Sequence, residues 1–134
     1  MTRVRVVVPV HERSEWLDVC LRSLELQDHP DFDVTIVDDA SADPGVRAVA
    51  EAYADRYGWQ LATNARREYA LYSRAAGFDI ADPADDELVC FVDGDDWLAH
   101  AGALRAVSNA FTDDVLLTSG GMQPVATVAA RRDR

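Results

Sequence analysis

Leu88-Val89-Cys90-Phe91-Val92-Asp93-Gly94-Asp95-Asp96-Trp97-Leu98 runs five apolar residues into three carboxylates within four positions, then returns to apolar residues. A short continuous apolar run of this kind predicts a buried strand, here Leu88 to Val92, ending abruptly in an acidic turn. The same pattern recurs upstream. Val4 to Val10 is a β-branched run, and Phe32 to Val37 is a second that closes on Asp38-Asp39. Trp59 to Thr63 predicts a third, shorter strand, and Val115 to Thr118 a last one before the Gly120-Gly121 break. Between them the apolar spacing changes to that of helices. Ser14 is the expected N-cap of a stripe formed by Trp16, Leu17, Cys20, Leu21 and Leu24, with Pro30 just past its end. Asp43-Pro44 predicts an N-cap with Pro at the first helical position. Val46, Val49, Ala50, Tyr53 and Tyr57 form the stripe that follows, and Gly58 the stop. Tyr69 to Ile80 predicts a helix with Leu71, Ala75 and Phe78 inward, and Ala101 to Phe111 another with Leu104, Val107 and Phe111 on one face. Strands alternating with helices give right-handed βαβ units, an α/β fold with a mostly parallel sheet covered on both faces.

The chain has 134 residues with 24 acidic and 13 basic side chains, a formal charge of −11. One domain spanning 1–134 is expected from that length. All the basic residues are Arg. The lack of Lys excludes a Walker A phosphate loop and Schiff-base chemistry. The acidic balance argues against a general DNA or RNA binder, since no basic stripe offsets phosphate charge. Abundant Ala with Arg as the sole strong base points to GC-rich coding and a bacterial source. Cys20 and Cys90 sit inside apolar patterns and read as small buried hydrophobes in a reducing compartment. No apolar run approaches the ~20 residues of a membrane span. The N-terminus leads directly into a strand, so a cytoplasmic location is expected.

In open parallel sheets ligands sit at the carboxyl ends of the strands, and the acidic pairs fall there. Asp93 and Asp95, two apart in an extended segment, point the same way, with Gly94 allowing close approach between them. At ~5 Å and an effective dielectric near 20, each carboxylate pair costs on the order of 3 kcal/mol. A hard divalent cation, Mg²⁺ or Mn²⁺, removes that cost and lets an acidic protein carry an anionic diphosphate. The acidic stretch Asp82 to Glu87 reads instead as a solvated loop. Asp38 and Asp39 have a competing role as turn residues, but Asp43 is the better cap for the next helix, which leaves the pair available to a base or ribose. Arg74 is either surface charge or a partner for phosphate or the acidic cluster.

Four segments together resemble an inverting glycosyltransferase of family 2 with the GT-A fold. They are Val6-Val7-Val8-Pro9-Val10-His11-Glu12-Arg13, Phe32 to Asp43, Ser73-Arg74-Ala75-Ala76-Gly77, and Phe91-Val92-Asp93-Gly94-Asp95-Asp96-Trp97-Leu98. The last fits the family's Asp-x-Asp-Asp element without departure. His11, Glu12, Ala40 and Ala75 stand where the family commonly has other residues. The resemblance covers about Val4 to Ser119 and implies a Rossmann-like sandwich that binds a nucleotide-diphospho-sugar, a UDP-sugar being favoured. It implies that Pro9, His11 and Glu12 line the base and ribose pocket, and that Asp39, with Asp38 as second choice, accepts from a uracil-type base. Arg74 would lie near the nucleotide or the acidic motif. Asp93 would hold the ribose or a metal-bound water, and Asp95 and Asp96 would hold Mn²⁺ or Mg²⁺.

In the family the acceptor site and the catalytic base follow the Asp-x-Asp-Asp strand. Beyond Asp114 the chain has one carboxylate, Asp133. The expectation is therefore a donor-binding half truncated after that strand, with no base assigned. Its acceptor is unknown, and an acceptor-domain or self-association partner would complete it. Three functions compete: a transferase donor domain, a non-catalytic nucleotide-sugar-binding or regulatory module, and a nucleotidyltransferase. The last needs a Gly-rich basic loop and a Lys that the sequence lacks.

Overall fold

The computed structural model describes residues 2–112 together with 115, 117, 118 and 121. The expected strand at 115–118 and the Gly120-Gly121 break lie in part outside the described residues. The elements run β1 (Val4–Val10), α1 (Ser14–Glu25), β2 (Phe32–Asp38), α2 (Pro44–Tyr57), β3 (Gln60–Thr63), α3 (Tyr69–Ala81), β4 (Leu88–Phe91) and α4 (Ala103–Ala110). Among the described residues four strands form one sheet in the order β3-β2-β1-β4, and the three pairings are parallel. The order reverses direction between β1 and β4, which is the switch point where such sheets bind ligands.

The sheet separates two layers. Val4, Val6, Val8 and Val10 of β1 pack with Leu17, Cys20, Leu21 and Leu24 of α1, with Val46 and Ala50 of α2 and with Leu104 of α4. Val7 and Val37 face the other way, toward α3. That alternation is why the β1 run is apolar at nearly every position.

Asp43 caps α2 as expected, its Oδ1 accepting from Gly45 N at 2.8 Å, and Gly58 closes the helix at φ 68°. Three expectations are corrected. Ser14 is the first residue of α1 and not its cap; Arg13 occupies the cap in a left-handed conformation. Its carbonyl accepts from the amides of Trp16 and Leu17.

The inward face of α3 is Ser73, Gly77 and Ala81, while Leu71 is 81% and Phe78 44% exposed. The small residues win because the helix lies very close to the sheet: a Cβ on Gly77 would fall 2.3 Å from Val7 Cγ1. Close approach of backbone to sheet decided this face, and apolar periodicity did not.

The third correction concerns β4, which is an edge strand among the described residues and half-buried, with Phe91 exposed. Only Val92, just past its end, is buried as expected of the whole run.

Candidate functional site

The carboxyl ends of β1, β2 and β4 meet along one edge. Asp39 N donates to Val10 O at 2.8 Å, Val92 N to Val7 O at 3.0 Å and Gly94 N to Pro9 O at 2.9 Å. Gly94 is required there, since a Cβ on it would lie 2.7 Å from Val10 Cβ. This close passage sets Asp93 and Asp95 against the end of β1. The acidic turn is tied to α1 from below: Leu98 N donates to Ser23 Oγ at 3.1 Å, and Trp97 stacks on Trp16 at 5.7 Å with nearly parallel planes.

A cleft of about 240 Å³ opens at this edge, lined by Pro9, His11, Glu12, Asp39, Asp93 and Asp95 from the expected set, and by Arg67, Ala70 and Ser73 besides. The ligand oxygens of Asp93, Asp95 and Asp96 lie within 4.8 Å of one another. Burial, then the charges of Asp95 and Asp93, push the Asp96 carboxyl above its ordinary range. Three hard oxygen donors crowded at this spacing fit Mg²⁺ or Mn²⁺. Arg74 stands beside them, its Nη2 donating to Asp93 Oδ1 at 2.8 Å.

The remaining expected residues are engaged by the protein itself. Asp38 is buried and does not line the cleft; its Oδ1 accepts from Ser41 N at 3.1 Å. Glu12 lines the cleft, but its carboxylate accepts from the amides of Ala42 and Asp43. Asp39 is 3% exposed. Its carboxylate accepts from Asn64 Nδ2 at 3.0 Å, Arg67 Nε at 3.0 Å, Glu68 N at 2.7 Å and Tyr69 N at 2.8 Å. Burial by itself would raise its pKa; the bonds from Asn64, Glu68 and Tyr69 and the charge of Arg67 outweigh burial and hold it below the ordinary aspartate value. His11 Nδ1 lies 2.7 Å from Asp39 O. A carbonyl only accepts, so Nδ1 carries the hydrogen and, in the neutral ring, Nε2 carries the lone pair.

Sequence reasoning passed over Arg67, Asn64 and Ser73. The available signal was Arg66-Arg67 just after a strand whose end faces the ligand edge, in a chain with few bases.

A parallel sheet with a carboxylate-rich cleft at its switch point defines the class: an α/β domain built to hold a ligand at the strand ends. The chain matches the family model for glycosyl transferase family 2 over residues 5–124, and it belongs to that family. It is 36% identical over 92 residues to the amylovoran biosynthesis glycosyltransferase AmsB of Erwinia amylovora, a match that covers 68% of this chain and 30% of that protein. The crystal structure of S. aureus TarS 1–349 in complex with UDP is similar with a TM-score of 0.70 and 25% identity, covering 81% of this chain and 31% of that one. The mannosyltransferase PcManGT from Pyrobaculum calidifontis, in complex with GDP-Man and Mn²⁺, has a TM-score of 0.73 at 21% identity, covering 84% of this chain and 33% of that one, and shows the shared fold. The chain thus spans about a third of the length of these proteins. Among the described residues no helix is long and apolar enough to cross a membrane.

Proposed function

We propose that the cleft binds the nucleoside diphosphate of a sugar donor, and that the chain is the donor-binding part of an inverting glycosyltransferase whose acceptor is unassigned. The observation that carries this reading is the cluster of Asp93, Asp95 and Asp96, two of which, Asp93 and Asp95, line the cleft, in a chain of the glycosyl transferase 2 family. The UDP complex of TarS, similar over most of this chain, supports a uridine nucleotide.

Asp95 and Asp96, with Asp93, would hold Mn²⁺ or Mg²⁺. The cation would supply positive charge for the diphosphate, both in binding and as a leaving group. Arg74, already at Asp93, adds a second positive charge on the same side. Pro9, His11, Ala70 and Ser73 line the cleft and would receive the base and ribose, and Glu12 and Asp38, each accepting from backbone amides, would hold the turns beside it.

A second reading, a module that binds donor without transfer, is favoured by one observation. Glu12 and Asp39, the cleft carboxylates outside the acidic cluster, are each satisfied by N–H donors, and a proton acceptor needs a free lone pair within about 3 Å of the acceptor hydroxyl.

Calorimetry with UDP, with and without Mn²⁺, tests the donor site. Binding that needs the metal, and loses that need in Asp95→Asn, is the expected result; equal affinity in EDTA refutes the metal bridge. Scoring UDP release and glycosylated product separately over a panel of UDP-sugars and simple acceptors then separates the two readings.

A further inference from the structure

Helix α3 lies on the sheet by Ser73, Gly77 and Ala81, and among the described residues nothing covers its back. At about 3.6 residues per turn, Leu71, Tyr72, Ala75 and Phe78 fall on the side away from that inward face. Leu71 is 81%, Tyr72 54% and Phe78 44% exposed, and Ala75 is exposed with them. Phe91, 46% exposed, extends the strip onto the sheet. It is the register partner of Val7, whose side chain faces α3, so it projects on the α3 side of the edge strand β4. A helix that is apolar on both sides is expected to be covered on both.

The strip has the size of an interface. A large side chain presents about 150–250 Å² when fully exposed, so the open parts of Leu71, Tyr72, Phe78 and Phe91 come to roughly 350–550 Å². A standard interface takes about 800 Å² from each partner, of which about 60% is apolar, or roughly 500 Å². The two ends of the strip differ in charge. Arg66, just before the helix, is 85% exposed and engages Glu68 through Nε alone, which leaves its two terminal amino groups as donors. At the other end stand Asp79, Asp82, Asp85 and Asp86, all exposed. The last turn of α3 holds no basic residue and the first no acidic one. A base before the helix and acids at its end are the reverse of what the helix dipole favours.

We infer that the back of α3 is a self-association surface, on which a second copy of this chain packs its own α3 antiparallel about a two-fold axis at Ala75. Such an interface needs a patch complementary to itself, and this strip is. Ala75 is the midpoint of the helix, which runs Tyr69–Ala81. With the axis there, Tyr72 of each copy meets Phe78 of the other, and the small Ala75 lets the two backbones approach at the crossing. Arg66 of each copy comes to the acidic end of the other, and the opposed helix dipoles attract. A second copy thus supplies, by symmetry, the base that each acidic end lacks. Ala70 and Ser73, toward the N-terminal end of α3, line the cleft. Antiparallel pairing therefore sets the two clefts at opposite ends of the dimer, each open to its ligand.

Sedimentation equilibrium of the full chain across the micromolar range tests this, and the outcome does not depend on what the cleft binds. A monomer–dimer equilibrium is expected. Ala75→Glu, which sets two like charges face to face on the axis, is expected to weaken it about tenfold or more. Far-UV circular dichroism and melting of that variant in dilute solution, where the chain is monomeric, are expected to match the parent, which separates a lost interface from a lost fold. Ala75→Cys is expected to give a disulfide-linked dimer on mild oxidation, because a residue at a two-fold axis meets its own copy. Ala52→Cys, exposed on α2, is expected to give none. A chain that stays monomeric throughout overturns the inference, whatever else then covers the strip. A dimer that Ala75→Glu leaves intact overturns it too, because the contact then lies on another face.

Discussion

Arg74 Nη2 sits 2.8 Å from Asp93 Oδ1, so one of the three carboxylates that would hold a cation already has a positive partner from α3. The pair is about 40% exposed on both sides, and a pair of that kind is worth about 0.2–1 kcal/mol. In the proposed donor site, metal and arginine would compete for the same carboxylate in the absence of nucleotide and would cooperate on the diphosphate in its presence.

Arg74→Met should therefore bind Mn²⁺ alone about twofold more tightly, the equivalent of about 0.4 kcal/mol, and bind UDP in saturating Mn²⁺ more weakly than the parent. Electron paramagnetic resonance of free Mn²⁺ gives the first quantity and calorimetry the second. A variant that loses affinity for both would show that Arg74 orders the acidic turn and does not compete with the metal.

Asp39 predicts an acid-labile fold. Its carboxyl is held below the ordinary value in the folded chain. The stabilisation is fully present above the unfolded pKa of about 3.9 and is lost as pH falls through the lowered folded value. Asp39→Asn keeps the shape but turns an amide toward N–H donors, and should cost about 2–3 kcal/mol at neutral pH. Urea unfolding at several pH values checks both points. The parent should lose more stability than the variant as the medium is acidified below about pH 4; parallel curves would remove Asp39 from the account.

Gly77 fixes how close α3 lies to the sheet. Gly77→Ala would place a methyl 2.3 Å from Val7 Cγ1 and 3.1 Å from Val37 Cγ2, an overpacking that costs about 1–3 kcal/mol. Leu71→Ser, on the exposed flank of the same helix, should change stability by about 0.5 kcal/mol or less. Thermal melts of the two variants compare the observed inward face with the one that apolar periodicity selects. The reverse ranking would restore the latter.

Cys20 should be inert. Burial, then the charges of Asp96, Asp95 and Asp93, push its thiol up to about 12, and its Sγ lies 3.6 Å from Asp93 O. Cys90, raised by burial alone, is less enclosed. Labelling with a thiol reagent at pH 8 should modify Cys90 before Cys20, with Cys20 reacting at the rate of global unfolding. Rapid labelling of Cys20 in the native chain would show that the acidic turn lifts off α1.

Much of the fold follows from neighbouring residues. The apolar runs predict all four strands to within a residue or so. Asp43-Pro44 and Gly58 bound α2, because a cap depends on residues two to four positions away. The face of α3 was not legible, because an apolar stripe and a small-residue stripe share the helix and only the distance to Val7 chooses between them.

The sequence by itself determined the α/β alternation, the strand ends at which carboxylates collect, and the cluster of Asp93, Asp95 and Asp96. These three converge because they are near neighbours in one turn. Only the tertiary structure decided which carboxylates remain free. Asp39 is saturated by donors 25 to 30 residues away, and Glu12 by amides 30 and 31 residues away. Those partners arrive through the parallel register of β1, β2 and β3 and the path of the chain into α3. Hydrogen bonds act at about 3 Å, so a sequence can name the groups that want partners, but the sheet must form before it is settled which of them meet.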